Sequence, residues 1–463
     1  MKVAVLGAGF AGLTVAHALK RDASRRGVDL TVEVFEAGAR AGGRIRTTNA
    51  EGFLVEWAAD AFQTGPGPAQ TLIQDLGLAG ERVEASPQAA RRYVFSRGKL
   101  HRFPSGPGSL LHFSAISPKG RLRVLAEPLV ASRVAHEESV LDFAARHMGE
   151  EAARVVAGSF VRGVYAGDAA KLSLDASFPK LRELEKKHRS LLLAMGKYGG
   201  TKNRSGAKSN AGPRSLWSLK RGMGSLVERL AESLGAAIHL EMPALRLSRA
   251  PEYAATTPFT IRFASGESRS FDSVIVATPA SDAAALLRGL DIEAANALTD
   301  IPHSGLAVVA LAIRDEAFRT KPDGYGFLVA PGEALPALGV LFESNLFPGR
   351  APEGFTLVRA FLGGVDRPEL ITLPDAKLIG LACESLDRAL GLKGGPERTW
   401  VMRQERAIPQ YTLGHRERIA SVMKRIGAFP GLYVAGNAYR GVSVGSLVED
   451  ADRVAGWLLH AAR

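Results

Sequence analysis

Hydrophobic positions open the chain as a continuous run, Val3-Ala-Val-Leu6, and after Gly7-Ala8-Gly9-Phe10-Ala11-Gly12 they continue as an alanine-rich helical pattern through Leu19. Such a run reads as a strand buried on both faces, and spaced glycines before a helix mark a tight turn between the two. Leu30-Thr-Val-Glu-Val-Phe35 completes a strand–helix–strand unit. Much later, Ala237-Ile-His-Leu240, Phe259–Phe263 and Phe271–Pro279 read as further strands. Pro430-Gly-Leu-Tyr-Val-Ala-Gly436-Asn437 is one more, ending in glycine before a helix over Ser446–Ala462. Between these pieces, residues 105–200 carry helical spacing at Gly120–Val130, Ser139–Arg146, Glu150–Val161 and Leu181–Met195. Residues 282–405 alternate strands such as Leu306–Ile313 and Thr356–Leu362 with short helices.

The glycine spacing points to chemistry. Gly7 permits the turn, Gly9 leaves room for a pyrophosphate, and Gly12 brings the helix close to the strand, so that free helix N–H groups face phosphate. Glu36 follows the second strand about 20 residues beyond Gly12, where an acid grips a ribose hydroxyl. Gly42-Gly43-Arg44 adds a close backbone approach and a fixed guanidinium, which suit the second side of a pyrophosphate and favour FAD over NAD. The fold class expected is therefore α/β: a Rossmann-like FAD-binding domain assembled from residues 1–95, 215–281 and 406–463. A mostly helical insertion at 105–200 and a sheet-containing substrate domain at 282–405 interrupt it.

With 463 residues and 46% hydrophobic content, the chain can bury several cores. Its single cysteine, Cys383, excludes an internal disulfide and fits a reducing compartment. No charged-then-apolar leader precedes the first strand and no apolar run has membrane-spanning length, so a cytoplasmic protein is expected. The net charge of +12 concentrates between Pro179 and Arg214, where ten basic side chains face two acids. Aromatic residues are not interleaved there, which argues against nucleic acid; an anionic membrane surface or a merely solvated loop explains the charge. Leu110-Leu111-His-Phe113 and Ile116 are candidates for a membrane-facing patch. The ten histidines are scattered, and neither a serine–histidine–acid set nor a metal cluster is visible, so no catalytic side chain is singled out.

Beyond these general marks stand Arg162-Gly-Val-Tyr-Ala-Gly-Asp168 running into Lys171-Leu-Ser-Leu, Phe178-Pro and His188-Arg-Ser190, then Phe342-Glu-Ser-Asn-Leu-Phe-Pro348. Ile408-Pro-Gln-Tyr-Thr-Leu-Gly-His415 and Ala435-Gly-Asn-Ala-Tyr-Arg-Gly-Val-Ser-Val444 complete the set. With these, the chain resembles the protoporphyrinogen oxidases, a branch of the FAD-dependent amine oxidase and phytoene desaturase superfamily. The resemblance implies a six-electron aromatisation of protoporphyrinogen IX, in which flavin takes hydride and oxygen reoxidises it. It implies cofactor contacts at Gly7, Ala8, Gly9, Phe10, Ala11 and Gly12, at Glu36, Ala37 and Arg44, at Ala58, Ala59, Asp60 and Ala61, at Ala244, and at Val442, Ser443 and Val444. The flavin is expected to be non-covalent, because no cysteine lies in the C-terminal segment. For the substrate, the resemblance implies a propionate on Arg92, pyrrole N–H groups at the Gly163 carbonyl, and apolar walls from Tyr325, Leu328 and Phe361. Ala58 departs from the family, whose members usually carry glycine there, and puts a methyl group beside the ring.

Rival readings remain at this stage. Coproporphyrinogen III has more carboxylates and calls for more cations, for which Arg91 and Arg97 are available. Amine oxidation lacks an evident aromatic cage. A flavin-free interaction protein is a use of the same architecture in Rab-regulating proteins, and the intact glycines argue against it. Oligomeric state is left open, a homodimer included.

Overall fold

The computed structural model describes residues 1–63, 67–130, 132–194, 216–250 and 258–461, so the loop expected over 199–213 lies outside the described residues. Five strands from three distant parts of the chain form one parallel sheet, in the order Ile238–His239, Thr31–Phe35, Lys2–Leu6, Ser273–Val276 and Leu432–Val434. The first strand is central, and its alternation decides what covers each face. Val3 and Val5 pack against helices Phe10–Arg26, Gly224–Leu234 and Val444–Ala461, while Ala4 and Leu6 meet a three-stranded antiparallel sheet of Ala244–Arg249, Phe259–Phe263 and Ser268–Phe271. All four are at most 1% exposed. Each fully buried Val or Leu of this kind contributes about 1.5–3 kcal/mol of transfer free energy, which is why the run contains no polar residue.

A second, seven-stranded sheet runs in the order Arg398–Pro409, His303–Arg314, Phe355–Gly363, Gly339–Phe342, Gly326–Val329, Arg92–Ser96 and Lys99–Arg102. Helix Asp375–Leu390 covers one face, packing Leu378, Ala382 and Leu386 on Val309 and Leu311. The other face carries Val308 and Ala310 against the hairpin Thr47–Ala50/Phe53–Glu56. Strand Arg92–Ser96 pairs in parallel with Gly326–Val329, so it belongs to this sheet and not to the nucleotide-binding segment expected over 1–95. A five-residue strand records which of its faces are apolar but not which distant strand it will meet.

The insertion is helical as expected: Pro118–Leu125, Glu127–Val130, Val140–Met148, Ser159–Tyr165 and Pro179–Lys187. The helical spacing read over Glu150–Val161 is broken by a π-turn at Ala153–Gly158. A buried ion network ties these helices together. His147 lies between Glu127 at 2.8 Å and Glu185 at 3.1 Å, and Arg182 holds Glu185 at 2.7 Å. Leu110, Phe113 and Ile116 are buried against Ala152 and Val94, which corrects the membrane-facing patch expected of them; of its apolar members only Leu111 is exposed. Among the described residues no helix is long and apolar enough to cross a membrane.

Candidate active site

The C-terminal ends of the parallel strands open into a cavity of about 1,510 Å³ that continues between the second sheet and the helical insertion. Pockets for single drug-sized ligands run to about 300–1,000 Å³, so this one has room for an extended cofactor and a second molecule.

At the nucleotide end the geometry follows from the glycines. A Cβ placed on Gly12 would lie 1.9 Å from the Gly7 carbonyl oxygen, so only glycine lets the helix pack this close. A Cβ on Gly9 would meet no protein atom within 4 Å, because that side faces the cavity. Helix Phe10–Arg26 begins there with no side-chain cap and no acid in its first turn. Its free N–H groups and dipole favour an anion. Glu36 accepts N–H bonds from Ala8 at 2.8 Å and Gly38 at 2.9 Å, which fixes the carboxylate and leaves lone pairs for hydroxyl donors. Arg44, which lines the cavity, donates to the Arg406 carbonyl; burial lowers its pKa from the ordinary value while Asp282 opposes the shift. Thr278, also on the wall, has a buried hydroxyl with no partner. An uncapped helix end, an open space beside Gly9 and an orphaned hydroxyl fit a dinucleotide.

Across the cavity, Arg92 stacks its guanidinium 4.9 Å from the Tyr325 ring centre, whereas Arg91 turns away to Asp323. Leu328 packs so tightly on Gly163 that a Cβ there would lie 2.3 Å from Leu328 Cδ2. Phe361 lies 5.2 Å from the Arg359 guanidinium. Thus Arg92, Gly163, Tyr325, Leu328 and Phe361 all line one cavity, together with Gly7, Gly9, Phe10, Ala11, Glu36, Ala37, Arg44, Ala58, Ala59, Asp60, Ala244, Val442 and Val444. Four residues singled out in the sequence do not line it. Ala8 and Gly12 are buried behind the turn, Ala61 packs near Leu346 and Phe347, and Ser443 accepts the Ser446 N–H at 3.1 Å at the start of the last helix.

Arg359 is the side chain that sequence reasoning missed. It is 1% exposed, its Nη1 donates to the Glu56 and Ala58 carbonyls at 2.9 Å each, and its Nη2 lies 2.6 Å from Glu343 and 3.2 Å from Asp60. The sole signal was a lone arginine inside the apolar strand Thr356-Leu-Val-Arg-Ala-Phe-Leu362. Behind it, Glu56 pairs with Arg350 at 3.3 Å, and burial pushes the Glu56 carboxyl up to about 7. Burial likewise raises the Glu343 carboxyl and the Tyr325 phenol above their ordinary values. Leu341, opposite Arg359 on the neighbouring strand, was missed too and lines the cavity.

The flavin containing amine oxidoreductase family model matches residues 10–459. The chain belongs to that family. It is a flavoprotein oxidoreductase with FAD as cofactor, and Gly7, Gly9, Glu36, Arg44 and Thr278 line the part of the cavity that could take it. Its one thiol, Cys383, sits in helix Asp375–Leu390 and does not line the cavity. The chain is 28% identical to the coproporphyrinogen III oxidase of Bacillus subtilis over 96% of this chain and 95% of that one. It is 31% identical to the chloroplastic protoporphyrinogen oxidase 1 of Spinacia oleracea, over 96% and 82%. A crystal structure assigned as a protoporphyrinogen oxidase from Exiguobacterium sp. 255-15 superposes with a TM-score of 0.85 at 23% identity, over 99% of this chain and 98% of that one. At that identity the likeness speaks for the fold.

Proposed function

We propose that this flavoprotein oxidises protoporphyrinogen IX to protoporphyrin IX. The reading rests on one observation: a slot walled by Tyr325, Leu328 and Phe361 adjoins the dinucleotide channel and carries Arg92 at its edge, while the other guanidinium on that wall, Arg359, is already paired with Glu343 and Asp60. A largely apolar dianionic macrocycle matches that pattern, since a guanidinium pairs bidentately with carboxylate and never loses its charge. Bound FAD supplies a hydride acceptor that oxygen regenerates, releasing one peroxide for each of three two-electron steps. The chain's own part is to hold the macrocycle. Arg92 anchors a propionate, the Gly163 carbonyl accepts pyrrole N–H bonds, and the apolar walls exclude water and orient the ring.

Coproporphyrinogen III is the second reading, favoured by the Bacillus subtilis relative. Two cations that it would recruit are occupied: Arg91 pairs with Asp323, and Arg97 reaches Glu151 at 2.8 Å. Supplying each porphyrinogen to the flavin-loaded protein, in air and without oxygen, and following porphyrin fluorescence tests the assignment. Faster turnover of protoporphyrinogen is expected; faster turnover of coproporphyrinogen would reverse it, and colourless protein that takes up no FAD would return the interaction-protein reading.

We further propose that the protein works at the cytoplasmic face of an anionic membrane. Among the described residues, eight of the fourteen exposed large hydrophobic side chains lie in the helical insertion: Leu111, Leu122, Leu129, Val130, Phe160, Val164, Leu181 and Leu193. Phe160, Val164 and Leu181 also line the cavity, so part of this apolar surface borders it. Exposed Lys180, Lys186 and Lys187 stand beside it to meet anionic headgroups.

A further inference from the structure

Oxidation of a porphyrinogen removes a proton as well as a hydride at each step, and nothing assigned so far receives that proton. The region beside Ala58 and Ala59 gathers more acids than guanidiniums. Three carboxylates, Glu56, Glu343 and Asp60, share two guanidiniums, Arg350 and Arg359. Glu343 takes Arg359 at 2.6 Å and Glu56 takes Arg350 at 3.3 Å, both fully buried pairs. Asp60 keeps the looser hold, 3.2 Å from Arg359 with no hydrogen bond to its buried Oδ2, and it alone of the three acids lines the cavity. Its neighbours on that wall are Tyr325, Arg92 and Phe361, and the backbone on either side is pinned: Arg359 holds the Ala58 carbonyl, and the Ser218 hydroxyl donates to the Asp60 carbonyl at 2.6 Å. A carboxylate rigidly set on the wall of a substrate slot, with incomplete compensation, suits an N–H donor.

Resting on the porphyrinogen reading above, we propose that Asp60 is the general base of the reaction, accepting a pyrrole proton. A methylene-bridge C–H bond breaks and its electron pair leaves with hydrogen as hydride to the flavin, so the substrate is oxidised by two electrons. The cation left on that carbon is neutralised when the adjacent pyrrole N–H bond breaks, its electron pair entering the new conjugated double bond and its proton passing to an Asp60 carboxylate oxygen. Asp60 then returns the proton to solvent; two of the three two-electron steps can end this way, because the product keeps two of the four pyrrole N–H groups, and the third ends with loss of a proton from the remaining methylene bridge. Arg359 acts through Asp60 as a positioning residue, since it holds both the carboxylate and the segment that carries it.

The test uses flavin-loaded Asp60→Asn and Asp60→Ala. Loss of a general base lowers turnover by about 100-fold or more, so that fall in kcat is expected of both variants. FAD content, thermal midpoint and the affinity for the product porphyrin, read by quenching of its fluorescence, should stay near those of the wild type. Added formate should restore turnover of Asp60→Ala in a concentration-dependent way, because it supplies the missing carboxylate. Turnover of Asp60→Asn near the wild-type rate overturns the proposal. So does loss of activity together with FAD or porphyrin binding and without formate rescue, which would mean a structural role. A wild-type protein that holds FAD but turns over neither porphyrinogen overturns the porphyrinogen reading itself, and the base with it.

Discussion

Two adjacent arginines illustrate what a single position contributes. In the sequence Arg91 and Arg92 are equivalent candidates for a substrate carboxylate; in the fold Asp323 takes the first, and the aromatic face of Tyr325 steers the second into the slot. Arg92→Ala should weaken porphyrinogen binding by the roughly 1.5–3 kcal/mol of a charge-assisted bond while FAD content is unchanged. Equal substrate affinity in a titration of the two proteins would remove Arg92 from the site. Gly9→Val asks a complementary question. Since a Cβ at Gly9 meets only cavity, the variant should fold and emerge colourless, its side chain occupying the pyrophosphate's place; a full flavin spectrum would show that the pyrophosphate lies elsewhere. The glycines and Glu36 were legible because each has a local reason visible in a short motif. Arg359 and Asp60 were harder to read, because each takes its meaning from the other, and the chain brings the two together from far apart in the sequence.

At the scale of elements, the stretch from Gly436 to Val444 shows how a loop is held against a cofactor site. Tyr411 donates its hydroxyl to the Asn437 carbonyl and accepts the Gly441 N–H at 3.0 Å, and Asn437 and Val442 line the cavity. His415 stacks on the Tyr411 ring with centroids 4.2 Å apart and bonds the Ala438 carbonyl through Nε2 at 3.0 Å. Burial lowers the His415 pKa from 6.5 to about 4. The sign follows: the unfolded chain takes the proton first, so this stabilisation is complete above pH 6.5 and is lost as pH falls toward 4. At 1.36 kcal/mol per unit, the loss is about 3 kcal/mol. Urea unfolding across that range should reveal it, and His415→Phe, which keeps the stacking and cannot titrate, should flatten the slope. An equally steep acid loss in that variant would place the titration on another group. The strand and helix flanking this loop were legible from their apolar spacing, whereas the Tyr411–His415 brace was not, since aromatic residues four apart read equally well as ordinary core packing.

On the scale of the whole molecule, the cavity is a product of assembly: its walls come from the parallel sheet, the seven-stranded sheet and the helical insertion, and each piece of sequence supplies only part. Periodicity revealed the pieces, and the pairing of Arg92–Ser96 with Gly326–Val329 then joined two of them in a way that no local pattern encodes. The apolar surface of the insertion is a similar case. Leu110, Phe113 and Ile116 have the composition of a surface patch but are buried by neighbouring helices, while Leu122 and Leu129, 66% and 82% exposed, present theirs to solvent. If that surface docks on a bilayer, the flavin-loaded protein should float with anionic vesicles at low salt. Some binding should survive high salt, since salt screens the lysines and leaves apolar insertion intact. Replacing both leucines by glutamate removes two apolar insertions worth about 1.5–3 kcal/mol each and adds repulsion, so partitioning should fall at least 30-fold. Because both positions are exposed, folding stability should move by no more than about 0.5 kcal/mol per site. Unchanged flotation of the double variant would assign the membrane contact to another face, and no vesicle-bound wild type at either salt would show that the exposed leucines serve no bilayer.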